Sequence, residues 1–584
     1  VSPHFGMRVS EIYAEGNFPL LVVEAKKDFA TRYGMHAEYW HYFHQAERPD
    51  VLDYLKSNLI DLANHYHALY QEEQLAEEQP ANYAQALRWY EDFLGSFPED
   101  EQSPAINFQL ADLLLEQGEF GKSARQYERT AYDYPAHDKA AQAGYAAVYA
   151  YRQYLEVVTG AEIVAAKQAT VDSSLRFADT FPAHEHAPPI LGAATEDLYA
   201  MQDFERAIAS GRWLIEEYPD ADAELRRTGW LVVAHASFDT ADYPQAEEGY
   251  DQVLLLTGPD DGERQAVTDN LAAAIYKQGE QARALEDYVT AADHFLRVKK
   301  QAPSSAIRPA AEYDAAAALL HLEDWLAAAE VLEAFRADHP DHELNQEATR
   351  QLAATYEKGG ELEQAALEYE QVAADADSLE MRREALLVAG DLYEKSGIEA
   401  EAVRVYLGYI EEFPGPLETA VEIRFKVAGN FERRGAMEDY RGQLRAIVEA
   451  DANAGNERTD RTRYLAAQSS LVLTQPLYEE FARLELNEPF EDSLARKKTL
   501  MATALAECEA LVAYEVSEVT AAATYYLAEI YRNFSQALLD SERPVGLSAA
   551  DLAAYEMVIE EEAYRCKEIL QSLLDFSRSP SGER

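Results

Sequence analysis

Cysteine is nearly absent, with two in 584 residues, Cys508 and Cys566. That excludes a disulfide framework and any Cys-rich metal site. Bases are scarce as well. The 51 Lys and Arg stand against 106 Asp and Glu, a formal net charge of −55. Such a surface cannot neutralise phosphates, so bare nucleic acid is excluded as a ligand. Docking on an anionic membrane is disfavoured for the same reason. No apolar run is long enough to read as a bilayer-spanning helix. What is present excludes disorder. The chain is 48% hydrophobic and 11% aromatic, too apolar for a solvating tail. Its length fits several domains or one long repeat array.

The ends add little. The chain starts at Val1 without Met or a charged-then-apolar leader, as a cleaved signal peptide or a trimmed end would leave it. No Cys stands there to carry a lipid. Residues 577–584 are polar and are expected to be a disordered tail.

Self-similarity carries the architecture. A small residue is followed four later by an aromatic or aliphatic one, another three after that, and Pro five further on. The pattern reads Ala86, Tyr90, Phe93, Pro98, then Ser123, Tyr127, Thr130, Pro135. It returns as Ala291, Phe295, Val298, Pro303 and as Ala328, Leu332, Phe335, Pro340. Further copies are Ala365, Tyr369, Val372, with Asp377 in place of Pro, and Ala402, Tyr406, Tyr409, Pro414. A weaker copy is Ala207, Gly211, Leu214, Pro219. Pro98 to Pro135, Pro182 to Pro219, Pro303 to Pro340 and Pro340 through Asp377 to Pro414 all keep a 37-residue step. Pro135 to Pro182 takes 47 residues, and Pro219 to Pro303 takes 84, two units with extended parts.

A second helix frame precedes these. It reads Leu110, Ala111, Leu114, Gly118, then Leu352, Ala353, Tyr356, Gly360. Ala389, Gly390, Tyr393, Gly397 and Val427, Ala428, Phe431, Gly435 repeat it. Apolar residues at i, i+1 and i+4 make one helix stripe. Gly past the end suits a residue that needs positive φ. Pro stops the second helix because it lacks an N–H and clashes with the preceding turn.

Small–small–aromatic–Gly followed by Ala-x3-aromatic-x7-Pro resembles the tetratricopeptide repeat (TPR). The resemblance covers about two-thirds of the chain, from Leu52 to Ala450. It implies an all-α TPR-like α-solenoid, a right-handed superhelix of antiparallel helix pairs. The 37-residue period, against the commoner ~34, is similar to TPR proteins of the Gram-negative envelope, such as outer-membrane assembly and Tol-associated types. Past Arg461 the period is lost. Helices are predicted over 464–484, 492–513 and 516–540. A fourth follows the turn at 542–546, with Ser548 as N-cap and Asp551 at N3. Thr524 to Tyr531 is again TPR-like. This C-terminal stretch looks like the tail of large periplasmic TPR proteins linked to Exb/Tol-type motors and gliding machinery. The expected division is capping helices over 1–50, an array of nine to ten pairs over 51–455, a C-terminal helical domain over 456–576, and the tail.

Candidate chemistry is sparse. Gly118-Glu119-Phe120-Gly121-Lys122-Ser123 ends like a phosphate-binding loop, but Glu116 stands where its first Gly is required and a helix precedes it. His36, His41 and His44, with His65 and His67 beyond, invite a metal reading. That would need three or four convergent ligands, each held in orientation by a neighbouring hydrogen-bond partner. The expectation is an aromatic capping helix, in which His41 and His44 share a face, with no metal and no cofactor. Cys508 and Cys566 are expected as two buried thiols on separate helices, or as a pair if their Cα atoms come within about 7 Å. Glu560 to Glu562 and Asp260-Asp261 read as solvated charge runs. The 37 tyrosines mostly fall at repeat positions, where they supply apolar area with a polar tip.

In a TPR array the first helix of each pair lines the concave side, so its non-core residues are the candidate partner contacts. These are Glu347, Arg350, Glu357 and Lys358, then Glu384, Asp391 and Glu394, then Glu432 and Arg433. Some TPR proteins clamp a C-terminal carboxylate with Asn, Lys and Arg there. Here the Asn position holds Ala354, Asp391 or Gly429, so a basic or polar peptide fits better. The bland alternative is that these residues keep the wall solvated.

Lys supplies 15 of the 51 bases, a composition similar to proteins of salt-loving organisms. The Debye length falls from about 8 Å at ~0.15 M salt to about 3 Å at ~1 M, which weakens self-repulsion. Thermal stability is therefore expected to rise into molar NaCl. Taken together, the sequence predicts a non-catalytic interaction scaffold of the bacterial envelope, periplasmic with cytoplasmic as the alternative, that binds a protein or peptide partner from the envelope or a motor complex. The competing readings are a secretion or assembly adaptor shielding a client, and a metal-binding or enzymatic protein using the histidines.

Overall fold

The computed structural model describes residues 2–541 and, beyond them, 548–550, 552–554, 556–557, 559–561, 564, 567–568 and 571. Among the described residues there is no strand. Two compact units divide the chain, Val1–Ala311 and Glu312–Arg584. The first holds α1 (Pro3–Glu15), α2 (Pro19–Tyr33), α3 (Pro49–Gln71), α4 (Gln79–Ser96), α5 (Ser103–Glu116), α6 (Phe120–Tyr132) and α7 (Ala140–Val157). It continues with α8 (Glu162–Thr180), α9 (Ala187–Ala200), α10 (Phe204–Glu217), α11 (Ala223–Asp239), α12 (Tyr243–Leu256), α13 (Arg264–Ala284) and α14 (Tyr288–Gln301). Helix α15 (Arg308–His321) crosses the boundary. The second unit holds α16 (Trp325–Asp338), α17 (Asn345–Gly359), α18 (Leu362–Ala374), α19 (Leu379–Lys395), α20 (Glu399–Glu412) and α21 (Leu417–Arg433). Helices α22 (Met437–Ala452), α23 (Asp460–Arg483), α24 (Phe490–Val512) and α25 (Ser517–Asp540) complete it.

From α3 to α22 the helices pair in order, odd-numbered first and even-numbered second. The second-helix frame is what each pair buries. Ala86, Tyr90 and Phe93, then Ala291, Phe295 and Val298, then Ala328, Leu332 and Phe335 are all fully buried. Truncating one of these Phe rings to Ala would cost about 3–5 kcal/mol. Tyr369 is the partly exposed member of the frame.

Pro stops α4, α8, α10 and α16 in the same way. The residue before it leaves the helical region at φ −133, ψ 57 in Phe97, −126, 54 in Phe181, −121, 60 in Tyr218 and −129, 56 in His339. Pro Cδ excludes the α conformation from the preceding residue. Helices α6 and α18 reach their caps, Asp133 and Asp375, two residues before Pro135 and Asp377, near φ −99, ψ −14 and φ −91, ψ 2. The 47-residue unit is explained by length. Helices α7 and α8 run to 18 and 19 residues, against 14 and 13 for α5 and α6.

Tyrosines hold neighbouring pairs together. Tyr151, Tyr356 and Tyr393 on first helices each donate to a Glu of the preceding second helix, 23 residues back. The acceptors are Glu128 at 3.1 Å, Glu333 at 2.7 Å and Glu370 at 2.8 Å. Part of the acid and aromatic excess is thus one repeated hydrogen bond.

The C-terminal helices match the predicted positions within a few residues. Thr459 caps α23 through a reciprocal box with Thr462. Lys497 is buried, and its ammonium donates to the Phe481 carbonyl at 3.2 Å, the Leu484 carbonyl at 2.7 Å and Asn533 Oδ1 at 3.0 Å. It closes the C-terminal carbonyls of α23, and burial pushes its pKa down to about 8. Cys508 is buried, with its thiol raised to about 11 by burial. Its sequence counterpart Cys566 lies outside the described residues, as do Asp551, the predicted turn at 542–546, Glu562 and the tail. The Ser548 carbonyl accepts from the Leu552 N–H at 2.8 Å, a first helical turn.

One expectation fails at the N-terminus. No single helix carries His36, His41 and His44. The segment is two short 3₁₀ turns, Glu38–His41 and Gln45–Glu47, because Gly34 ends α2 in an extended conformation and Pro49 starts α3. The three histidines are exposed, while His65 and His67 sit on α3. Among the described residues no three His, Cys, Asp or Glu side chains converge as metal ligands.

Candidate partner-binding grooves

Helix packing leaves one face of each first helix unused. Successive first helices therefore form shallow grooves. In the second unit, α15 and α17 enclose a cavity of 380 Å³. Glu347, Arg350 and Lys358 line it with Gln351 and Trp325. Arg350 Nε donates to Glu347 at 2.8 Å, and the Lys358 ammonium lies 5.4 Å over the Trp325 ring. This groove is mixed in sign.

The remaining expected contacts are used differently. Glu357 accepts from the Tyr369 hydroxyl at 2.9 Å. Asp391 accepts from the Tyr406 hydroxyl and from Lys426 Nζ, the latter at 2.6 Å. Glu394 lies 4.0 Å from Lys426 and 3.8 Å from Arg433, and Arg433 Nε donates to Glu399 at 3.0 Å. These ion pairs join α19 to the next first helix, α21, and to the start of α20. Burial alone would raise the Asp391 carboxyl, but the bonds from Lys426 and Tyr406 outweigh it and hold it below its usual value. Glu384 and Glu432 are exposed and have no hydrogen-bond or ion-pair partner among the described residues.

Two grooves of the first unit escape the sequence reading. Between α7 and α9 lies a cavity of 330 Å³ with Tyr145, Tyr149, Ile190 and Pro189 on its walls and Arg152 and His186 at its rim. Tyr149 is 50% exposed, and Tyr145 stacks on His186 with ring centroids 4.5 Å apart. Arg152 pairs with Asp197 at 2.6 Å. Between α3 and α5 lies a polar cavity of 370 Å³ whose lining includes Asn64, His67, Gln71, Gln109, Asp112 and Glu116. No Lys or Arg lines it. A signal for the second groove existed. Asp112 stands six before Gly118, as Asp391 stands six before Gly397. No such signal marked Tyr145 and Tyr149, since the 47-residue unit breaks the period there.

No family model and no curated protein is similar to the chain. Solved structures are. A tetratricopeptide repeat protein from Parabacteroides merdae is 12% identical, over 48% of this chain and 96% of that one, with a TM-score of 0.20. The C-terminal part of a TPR repeat-containing protein from Cytophaga hutchinsonii is 11% identical, over 53% and 99%, at 0.22. BtubC from P. vanneervenii is 14% identical, over 41% and 90%, at 0.20. At such scores the fold rests on the chain's own geometry. Consecutive helix pairs, a 37-residue period and buried small–aromatic frames make it an all-α, tetratricopeptide-like solenoid.

Proposed function

We propose that the chain is a non-catalytic interaction scaffold of the bacterial envelope, which binds protein partners through its first-helix faces in the periplasm. The observation that carries this is the groove between α15 and α17. There Glu347, Arg350 and Lys358 converge on one open cavity, although stacking does not need them. Charges of both signs in one groove suit a polar peptide. The envelope setting is supported by the period and C-terminal stretch that resemble periplasmic TPR proteins. No described helix is long and apolar enough to cross a membrane.

The test is a pull-down with the full chain from native envelope extract in molar NaCl. Envelope proteins should be retained by the wild type and lost with Arg350→Glu combined with Glu384→Lys. Equal retention by that variant, or recovery of cytoplasmic proteins alone, would overturn the reading. The aromatic groove between α7 and α9 favours a second reading, an adaptor that shields a client peptide. Tight binding of one short peptide by the isolated chain, without a co-purifying assembly, would select it.

A further inference from the structure

We infer that the groove between α3 and α5 is a receptor for a lysine side chain of a protein partner. The inference rests on the scaffold reading and places its contact in the first unit. The walls offer acceptors. Glu116 takes hydrogen bonds from Gln71 Nε2 at 2.7 Å and stands 3.2 Å from His67 Nε2. His67 is buried and bound on its other nitrogen to the Tyr90 hydroxyl at 2.9 Å. Gln109 is half-buried and also lines the cavity.

The second argument comes from the repeats themselves. Asp112 and Asp391 occupy the same repeat position, and each accepts from the Tyr fifteen residues on, Tyr127 and Tyr406. In the second unit the motif also holds an ammonium, Lys426 Nζ at 2.6 Å from Asp391. In the first unit no Lys or Arg pairs with Asp112. Lys139 acts on it only through space, with its ammonium 4.8 Å over the Phe108 ring. The consequence is visible in the carboxyls. Burial raises Asp112 despite its bond from Tyr127, whereas Asp391 is held low. The chain thus shows what completes this Asp–Tyr pair, and leaves one copy open beside a cavity of 370 Å³. A desolvated carboxylate without a paired base, beside a second carboxylate, is matched by a primary ammonium.

The probe is a fluorescein-labelled peptide of alternating lysine and glycine, read by anisotropy on the full chain at molar NaCl. High salt suppresses diffuse attraction to the acidic surface. Asp112→Asn should weaken binding about tenfold or more, as expected for losing a desolvated charge pair. Asp220→Asn, which removes one exposed charge outside the grooves, should stay within about twofold. Acetylating the peptide's lysines should abolish the site-dependent part. Ala68→Lys, on an exposed position of the groove wall, supplies the ammonium from α3. It should block the peptide while leaving the melting temperature unchanged or higher, so a folding defect cannot mimic the result. Equal weakening by Asp112→Asn and Asp220→Asn would overturn the site, as would an undiminished response in Ala68→Lys. Displacement of the peptide by cadaverine at equal concentration would assign a free amine and overturn the protein partner. If envelope proteins are retained by the wild type and by Asp112→Asn alike, the scaffold reading stands and this site alone falls.

Discussion

Eight of the ten turns inside the pairs come in two kinds. In α5/α6, α17/α18, α19/α20 and α21/α22 the left-handed residue is glycine, at Gly118, Gly360, Gly397 and Gly435, with φ from 72 to 84°. In the stretch from α9 to α16 it is Gln202, Ala241, Glu286 and Glu323, at φ 58 to 63°. The backbone is otherwise the same. In all eight turns the next N–H reaches back five residues, as in Glu361 to the Tyr356 carbonyl at 2.9 Å and Asp287 to the Ala282 carbonyl at 3.0 Å. What differs is the residue that follows. After each non-glycine comes an Asp (Asp203, Asp242, Asp287 or Asp324) whose side chain accepts from the N–H three residues on. After the glycines stand Glu119, Glu361, Ile398 and Ala436, with no side-chain cap. A left-handed residue with a Cβ costs about 1–2 kcal/mol, and a good N-cap returns about 1 kcal/mol. The two regions reach one turn by different local balances.

The comparison breaks most sharply at a glycine. Gly360→Val puts a β-branched side chain at φ 84° with no cap behind it. It should destabilise the second unit by about 2 kcal/mol, read as a lower urea midpoint. Adding Glu361→Asp should recover about 1 kcal/mol of that loss. No recovery would show that capping does not compensate the strain.

The reverse change tests the other region. Asp287→Ala leaves Glu286 strained and uncapped, and should cost about 1 kcal/mol. Replacing Glu361 by Ala, at the same position of a glycine turn, should cost less than half as much. Smaller still is a gain. Ala241→Gly relieves the strain at φ 63° and should raise stability by about 0.5 kcal/mol, part of the relief being lost to the freer unfolded chain. A loss on this substitution would mean that Ala241 is not strained.

This difference also explains what was legible in the sequence. The fold was, because small–aromatic frames and Pro stops recur at one spacing and each has a single physical use. The glycine turns were legible too, since glycine announces positive φ. The Asp-capped turns were not. Gln202, Ala241, Glu286 and Glu323 carry no such mark, and the Asp that compensates each looks like any other acid in a chain with 106 of them. Charge hid the grooves in the same way. Asp391 and Glu394 read as open contacts, but the order of Lys426 and Arg433 along α21 turns them into ties between repeats. Asp112 passed unremarked because the absence of a partner is a property of three dimensions.

The least of the expected effects is a pH dependence confined to one kind of turn. The side-chain and backbone hydrogen bonds from Thr290 hold the Asp287 carboxyl below its ordinary value. A carboxyl lowered on folding stabilises above its unfolded pKa, and that contribution is lost as pH falls through its folded pKa. Acid should therefore loosen the start of α14 while leaving the start of α18, which has no side-chain cap, unaffected by this term. Hydrogen exchange compared between pH 5 and pH 3 reads it directly. After correction for the intrinsic rate, the Thr290 amide should lose protection and the Ala365 amide should not. Asp287→Asn, which caps without titrating, should remove the difference between the two regions. If both amides respond alike in the wild type, the caps are not what distinguishes these turns.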